Sequence, residues 1–200
     1  MESLARQLVD VVRRIHAAGL ATGTGGNFSA ALDDHRLVIT GSGLDKGTLD
    51  ESQLVVVDHA GTLLEGTGRP SAETGIHIEL VRARGARAVL HVHSVWNTLL
   101  SQRFVAEDAL AITGLEMLKG LRGVTSHEHR EIVPVLANSQ DIAALAVVVR
   151  RTLDANPACH GILIAGHGLY TWGTDLAEAH RHVEIFEFLF EVVGRQLFGR

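Results

Sequence analysis

The chain has 200 residues, 46% of them apolar, which is enough for one substantial core, and it carries a net charge of −5. That charge, with no cluster of Lys and Arg, excludes a nucleic-acid surface, where phosphates must be neutralised by bases gathered on one face. Cys159 is the single cysteine, which excludes an internal disulfide and a cysteine-rich metal site, so any metal must be held by His and carboxylate.

At the amino end Glu2, Arg6, Asp10, Arg13 and Arg14 interrupt the apolar residues, which argues against a signal peptide or membrane helix. A soluble, cytoplasmic protein is expected, consistent with the cysteine usage. Leu4, Leu8, Val11, Val12 and Ile15 recur at helical spacing before Gly19, predicting a helix over about 2–18. After a Gly-rich turn, short β-rich runs at 37–40, 54–58, 88–93, 132–136 and 161–165 read as strands of one sheet. Helical stretches at 72–84, at 138–153 and from Asp175 onward alternate with them. In the last helix Leu176, Ala179, Val183, Phe186, Phe190, Val193 and Leu197 paint one apolar stripe, read as core or subunit contact. No linker-like run divides the chain, so residues 1–200 are read as one domain, an α/β fold with helices over a sheet in three layers.

Twelve histidines in 200 residues would give fewer than one His-x-His pair by chance, and the chain has three. On a strand, residues i and i+2 share a face, so His91 and His93 can aim both rings at one point while Val92 packs behind. On a helix that spacing splits the side chains, which removes His180 and His182 as joint ligands and leaves them solvated or near a subunit contact. His127 and His129 lie in a polar segment that fixes neither ring, and His16, His35, His59, His77 and His160 are read as surface or core. His167 ends a buried-type strand between two glycines, a position open to close backbone approach. With His91 and His93 it would complete three imidazoles and leave a fourth metal position free, as catalytic zinc requires.

Three clusters, Thr22-Gly-Thr-Gly-Gly-Asn-Phe-Ser29, Ile39-Thr-Gly-Ser-Gly-Leu-Asp-Lys46 and Arg69-Pro-Ser-Ala-Glu73, offer hydroxyls and backbone N–H groups for a phosphate. The third also opens a helix. None fits a nucleotide-binding fingerprint. Glu73 at that helix start is either a capping carboxylate or a functional one. Glu116 stands among apolar residues that could raise its pKa, or else is an exposed helical partner of Lys119.

Pro70-Ser-Ala-Glu73, His91-Val-His-Ser94 and Gly166-His-Gly-Leu-Tyr-Thr-Trp-Gly173, in this order, resemble the class II aldolase/adducin-head family over nearly the whole chain. Gly114-Leu-Glu-Met-Leu-Lys119, Asn138-Ser-Gln-Asp-Ile142 and Tyr170-Thr-Trp-Gly173 are similar to a dehydratase branch within it. The resemblance implies a largely antiparallel central sheet between helical layers, one Zn2+ per subunit, a small phosphorylated sugar as substrate, and a homotetramer with sites at subunit contacts. It places His91, His93 and His167 at the metal, and Asn27, Ser42, Gly43 and Ser71 around the phosphate. Lys46 is added to these from its charge and its nearness in sequence. Glu116 matches the acid/base of the dehydratases, and Glu73 the carboxylate that serves metal and proton in the aldolases. An apolar substrate group could draw on Phe28, Leu115, Met117 or a neighbouring subunit. The rival readings are a sugar-phosphate aldolase or epimerase and a non-catalytic interaction protein on the same fold.

Overall fold

A computed structural model describes residues 3–199. The elements in chain order are α1 (Leu4–Ala17), β1 (Asn27–Ala31), β2 (Arg36–Thr40), β3 (Leu54–Asp58), β4 (Leu63–Glu65), α2 (Thr74–Arg84), β5 (Ala88–Val92), α3 (Val95–Phe104), β6 (Ala109–Ile112), β7 (Glu131–Leu136), α4 (Ile142–Ala155), β8 (Gly161–Ile164), β9 (Gly168–Gly173) and α5 (Leu176–Phe198). The strands form one sheet in the order β4-β3-β2-β1-β5-β9-β8-β7-β6. Every pairing is antiparallel except β7 with β8.

Strand alternation divides the core in two. Ala88, Leu90 and Val92 of β5, with Leu163 and Leu169, pack against Leu8, Val12 and Ile15 of α1, Leu100 of α3, and Val183, Phe186 and Phe190 of α5. Val89, Ile162, Ile164, Tyr170 and Trp172 face the other way, onto Ile76 and Leu80 of α2 and Leu145, Val149 and Leu153 of α4. The expected three-layer α/β arrangement with a largely antiparallel sheet is therefore present. Phe186 and Phe190 are fully buried and stack at 5.4 Å, each contributing about 2–3 kcal/mol by burial.

Four strands and one helix lie where no such element was read. β1 (Asn-Phe-Ser-Ala-Ala) is poor in β-branched residues. It is made a strand by β2 and β5 on its two sides, so tertiary pairing overrides propensity. β4 and β6 are too short to show a period. β9 falls between glycines that read as turn signals. α3 is opened by a reciprocal Ser94–Asn97 capping box. The helix expected over 2–18 agrees within its described part; Glu2 lies outside the described residues.

Candidate metal centre

His91 sits in β5, paired in register with Asn27 of β1 and Tyr170 of β9. It is fully buried, and its ring stacks on Tyr170 with centroids 3.9 Å apart. Its Nδ1–H donates to the Leu169 carbonyl at 2.9 Å, which leaves Nε2 as a bare lone pair. His93 follows two residues on, its backbone N–H bonded to the Leu20 carbonyl, and its Nε2 lies 2.8 Å from that of His91. His167 stands in the turn between β8 and β9, held by its N–H to the Ile164 carbonyl. Its Nε2 is 3.2 Å from His91 Nε2. Gly168 makes this approach possible, because a Cβ there would strike the Val92 carbonyl and the rings of His91 and His93.

Burial pushes the His91 pKa well down and that of His93 down to about 4, with neighbouring His167 adding to the effect at His93. Both rings are neutral at pH 7, and their Nε2 atoms face one another at 2.8 Å. His167 Nδ1 is buried without a partner. The three ring nitrogens lie within 4.8 Å of one another. A divalent cation fits this donor set, with a further coordination position left for substrate or water.

Glu73 completes the centre on one side. It stands at the N-cap of α2 but makes no side-chain cap bond, so the capping reading does not hold. Its Oε1 lies 3.1 Å from His167 Nε2 and its Oε2 3.5 Å from His91 Nε2, and Asn27 Nδ2 donates to Oε2. Burial acts to raise its pKa, but His167, His91 and Asn27 together outweigh that and hold the carboxyl well below its usual range. Behind it, His77 Nε2–H donates to Asn27 Oδ1 while the Ser29 hydroxyl donates to His77 Nδ1. Burial drives the His77 pKa down to about 4, so the ring stays neutral. His77 and Tyr170 were missed in the sequence. The spacing Glu73 to His77, one helical turn, was an available signal for the first; the second needed the β5–β9 register.

The expected phosphate residues fall on two loops that the backbone joins. Gly41 bridges Pro70, and the Ser42 N–H donates to the Arg69 carbonyl, which sets Ser42 and Gly43 beside Ser71. Asn27 is turned to Glu73 and His77 rather than to these loops. Lys46 also departs from the expectation of a free cation. It is 1% exposed, and its ammonium donates to the carbonyls of Thr24 and Leu44 at 3.0 and 2.8 Å. It staples the two Gly-rich loops, and burial lowers its pKa.

Of the two readings of Glu116, the structure takes that of an exposed partner of Lys119. Its side chain is 70% exposed, 2.7 Å from Lys119 and 3.7 Å from His127, and Lys119 lowers its pKa. Leu118 turns into the core, and the slight desolvation of the carboxylate, which raises its pKa, is outweighed by Lys119. Phe28 is fully buried in the α1/α5 core and does not line an open pocket, whereas Met117 is 37% exposed. His182, expected to be solvated or near a subunit contact, is 2% exposed and is bonded within its own chain. Its Nδ1–H donates to the Trp172 carbonyl and its Nε2 accepts the Arg122 N–H, which ties α5 to β9.

A family model described as Class II Aldolase and Adducin N-terminal domain matches residues 6–193. The chain belongs to the class II aldolase family. A methylthioribulose-1-phosphate dehydratase of Pseudomonas aeruginosa (strain UCBPP-PA14) is 46% identical over 191 residues, covering 95% of this chain and 93% of that protein. One of Sorangium cellulosum (strain So ce56) is 44% identical over 191 residues, covering 94% of this chain and 90% of its own length. The crystal structure of an L-fuculose-1-phosphate aldolase from Thermus thermophilus superposes with a TM-score of 0.77 at 28% identity, covering 96% of this chain and 94% of that one. This class II aldolase fold thus carries both dehydratase and aldolase relatives. Among the described residues no helix is long and apolar enough to cross a membrane.

Proposed function

We propose that the chain is a zinc-dependent dehydratase that removes water from 5-methylthioribulose 1-phosphate to give 2,3-diketo-5-methylthiopentyl 1-phosphate, a step of methionine salvage. The observation that carries the reading is the convergence of three imidazole nitrogens in a class II aldolase fold. The dehydratase relatives supply the reaction. One Zn2+ per chain, held by His91, His93 and His167, would polarise the C2 ketone and make the C3 proton easier to remove. Ser42, Gly43 and Ser71 bind the phosphate, and Lys46 keeps their loops in place.

Glu116 takes the C3 proton, the C4 hydroxyl departs with a proton as water, and the resulting enol relaxes to the diketone. Lys119 keeps Glu116 ionised and ready to act as a base at neutral pH. In the single chain Glu116 is exposed and its polar partners are Lys119 and His127. The homotetramer that the resemblance implies would bring it to the centre of a neighbouring subunit. Glu73 orients the triad within its own chain.

A second reading, a sugar-phosphate aldolase, is favoured by one observation: Glu73, not Glu116, touches the imidazoles. The test is turnover of metal-loaded protein with methylthioribulose 1-phosphate, with fuculose and rhamnulose 1-phosphates beside it, products being weighed by mass spectrometry. Dehydration of the methylthio sugar alone is expected. Cleavage of any of the three into two fragments would support the aldolase.

A further inference from the structure

A second group of imidazoles and a carboxylate lies at the other end of β8. His160 stands just before β8 and His167 in the turn after it, with the four residues of β8, about 13 Å at the rise of an extended strand, between them. β7 and β8 are the parallel pair of the sheet, so their amino ends lie side by side. Glu131 opens β7, His129 precedes it by two residues, and His160 immediately precedes β8. Glu131 is 1% exposed. Its Oε2 is 2.9 Å from His129 Nε2 and 2.9 Å from His160 Nδ1, while Oε1 accepts the His160 backbone N–H at 2.9 Å. The three donor atoms lie within 4.8 Å of one another, as those of the triad do.

We infer that His129, Glu131 and His160 form a second site for a divalent first-row cation, separate from the triad. Three features carry this. His160 Nε2–H donates to the Arg122 carbonyl at 2.8 Å, which fixes the ring with Nδ1 turned to the Glu131 carboxylate; against burial, that carboxylate raises the His160 pKa, so a cation binds there by displacing the proton on Nδ1. The 2.9 Å spacings are those of imidazole–carboxylate hydrogen bonds, and the three ligand atoms are grouped as closely as those of the triad, so a cation that replaces the bridging protons finds its ligands already gathered. A cavity of about 230 Å³, bounded by His129, Arg130, Glu131, Asn156, Pro157 and Cys159, opens onto His129 and Glu131 and gives a path to them from solvent. Two nitrogens and one oxygen suit zinc, cobalt or nickel and not magnesium or calcium, which take oxygen. The bound ion would clip residue 129 and β7 to the start of β8, and through Arg122 to the segment that His182 holds against α5. It serves stability and leaves the reaction at the triad unaltered.

The alternative occupant is a proton shared between Glu131 and the imidazoles. Metal-stripped protein titrated with Co2+ separates the two. The wild type is expected to take two equivalents per chain, His129→Ala one, and a His91→Ala/His93→Ala double variant one. Because His91 is buried and the double variant could unfold, the comparison of wild type with His129→Ala stands on its own, and Glu131→Gln repeats it without changing volume. Co2+ should also raise the Tm of a folded double variant, and not that of the same chain carrying His129→Ala. The same number of equivalents in wild type, His129→Ala and Glu131→Gln would overturn the proposal and leave the proton as occupant.

Discussion

Glu73 is sunk against two imidazoles, its oxygens 3.1 and 3.5 Å from His167 and His91, whereas Glu116 is 70% exposed and held by a lysine one turn away. Both carboxyls are ionised at neutral pH, for different reasons. Three elements position Glu73: β5 brings His91, β1 brings Asn27, and α2 brings the carboxylate itself. Glu116 is restrained by the i,i+3 neighbour Lys119 and, more loosely, by His127. A group fixed by the fold can orient a metal centre, while a mobile ionised group at the surface can meet a substrate or a second copy of the chain. The two carboxylates therefore divide the work, and the division can be broken experimentally.

The largest effect is expected from His93→Ala, which removes the centre around which Glu73 is arranged. Bound metal should be lost and kcat/KM should fall by at least about 10³-fold, read by metal analysis and initial rates. Glu116→Gln should lower kcat by about 10²–10⁴-fold with metal content unchanged. Glu73→Gln should lower metal occupancy as well as rate, and equal occupancy in the two variants would erase the distinction. His77→Ala leaves Ser29 and Asn27 without their buried partner and should cost about 1–3 kcal/mol in urea unfolding.

Glu187 sharpens the comparison from the stability side. Burial raises its pKa from 4.5 to about 7, against hydrogen bonds from Ser94 and Asn97 that pull the other way. The folded state therefore holds the proton more tightly than the unfolded state. That contribution is fully present below pH 4.5 and is lost as the pH rises through 7. Glu187→Gln should accordingly stabilise the protein by about 1–3 kcal/mol at pH 8 and by little near pH 4, measured by denaturant unfolding at both. The smallest effect is expected at Lys119→Met. Loss of the ammonium removes the main cause of the lowered Glu116 pKa, so the acid limb of the kcat profile should move to higher pH.

The His91–His93 pair was legible because a strand has period two, and His167 because glycines flank it. Their convergence depends on β9, which lies between β5 and β8 in the sheet and whose glycine borders hid it. Tyr170 acts through the β5–β9 register, which local patterns do not encode, whereas His77 sits one helical turn from Glu73 on α2. The letters around Glu116 left two environments open, and only the fold decides between them: Leu118 turns into the core while the carboxylate points out to Lys119. Lys46 was misjudged for a similar reason: charge announces a cation, but its two carbonyl partners come from loops 22 and 2 residues away in sequence.

The most direct test of the central claim is a single turnover of metal-loaded protein with methylthioribulose 1-phosphate under anaerobic conditions, wild type beside Glu116→Gln, followed by product mass. The account predicts loss of one water by the wild type and no such loss by the fully metallated variant. Equal dehydration by both, or cleavage of the sugar in place of dehydration, would contradict it.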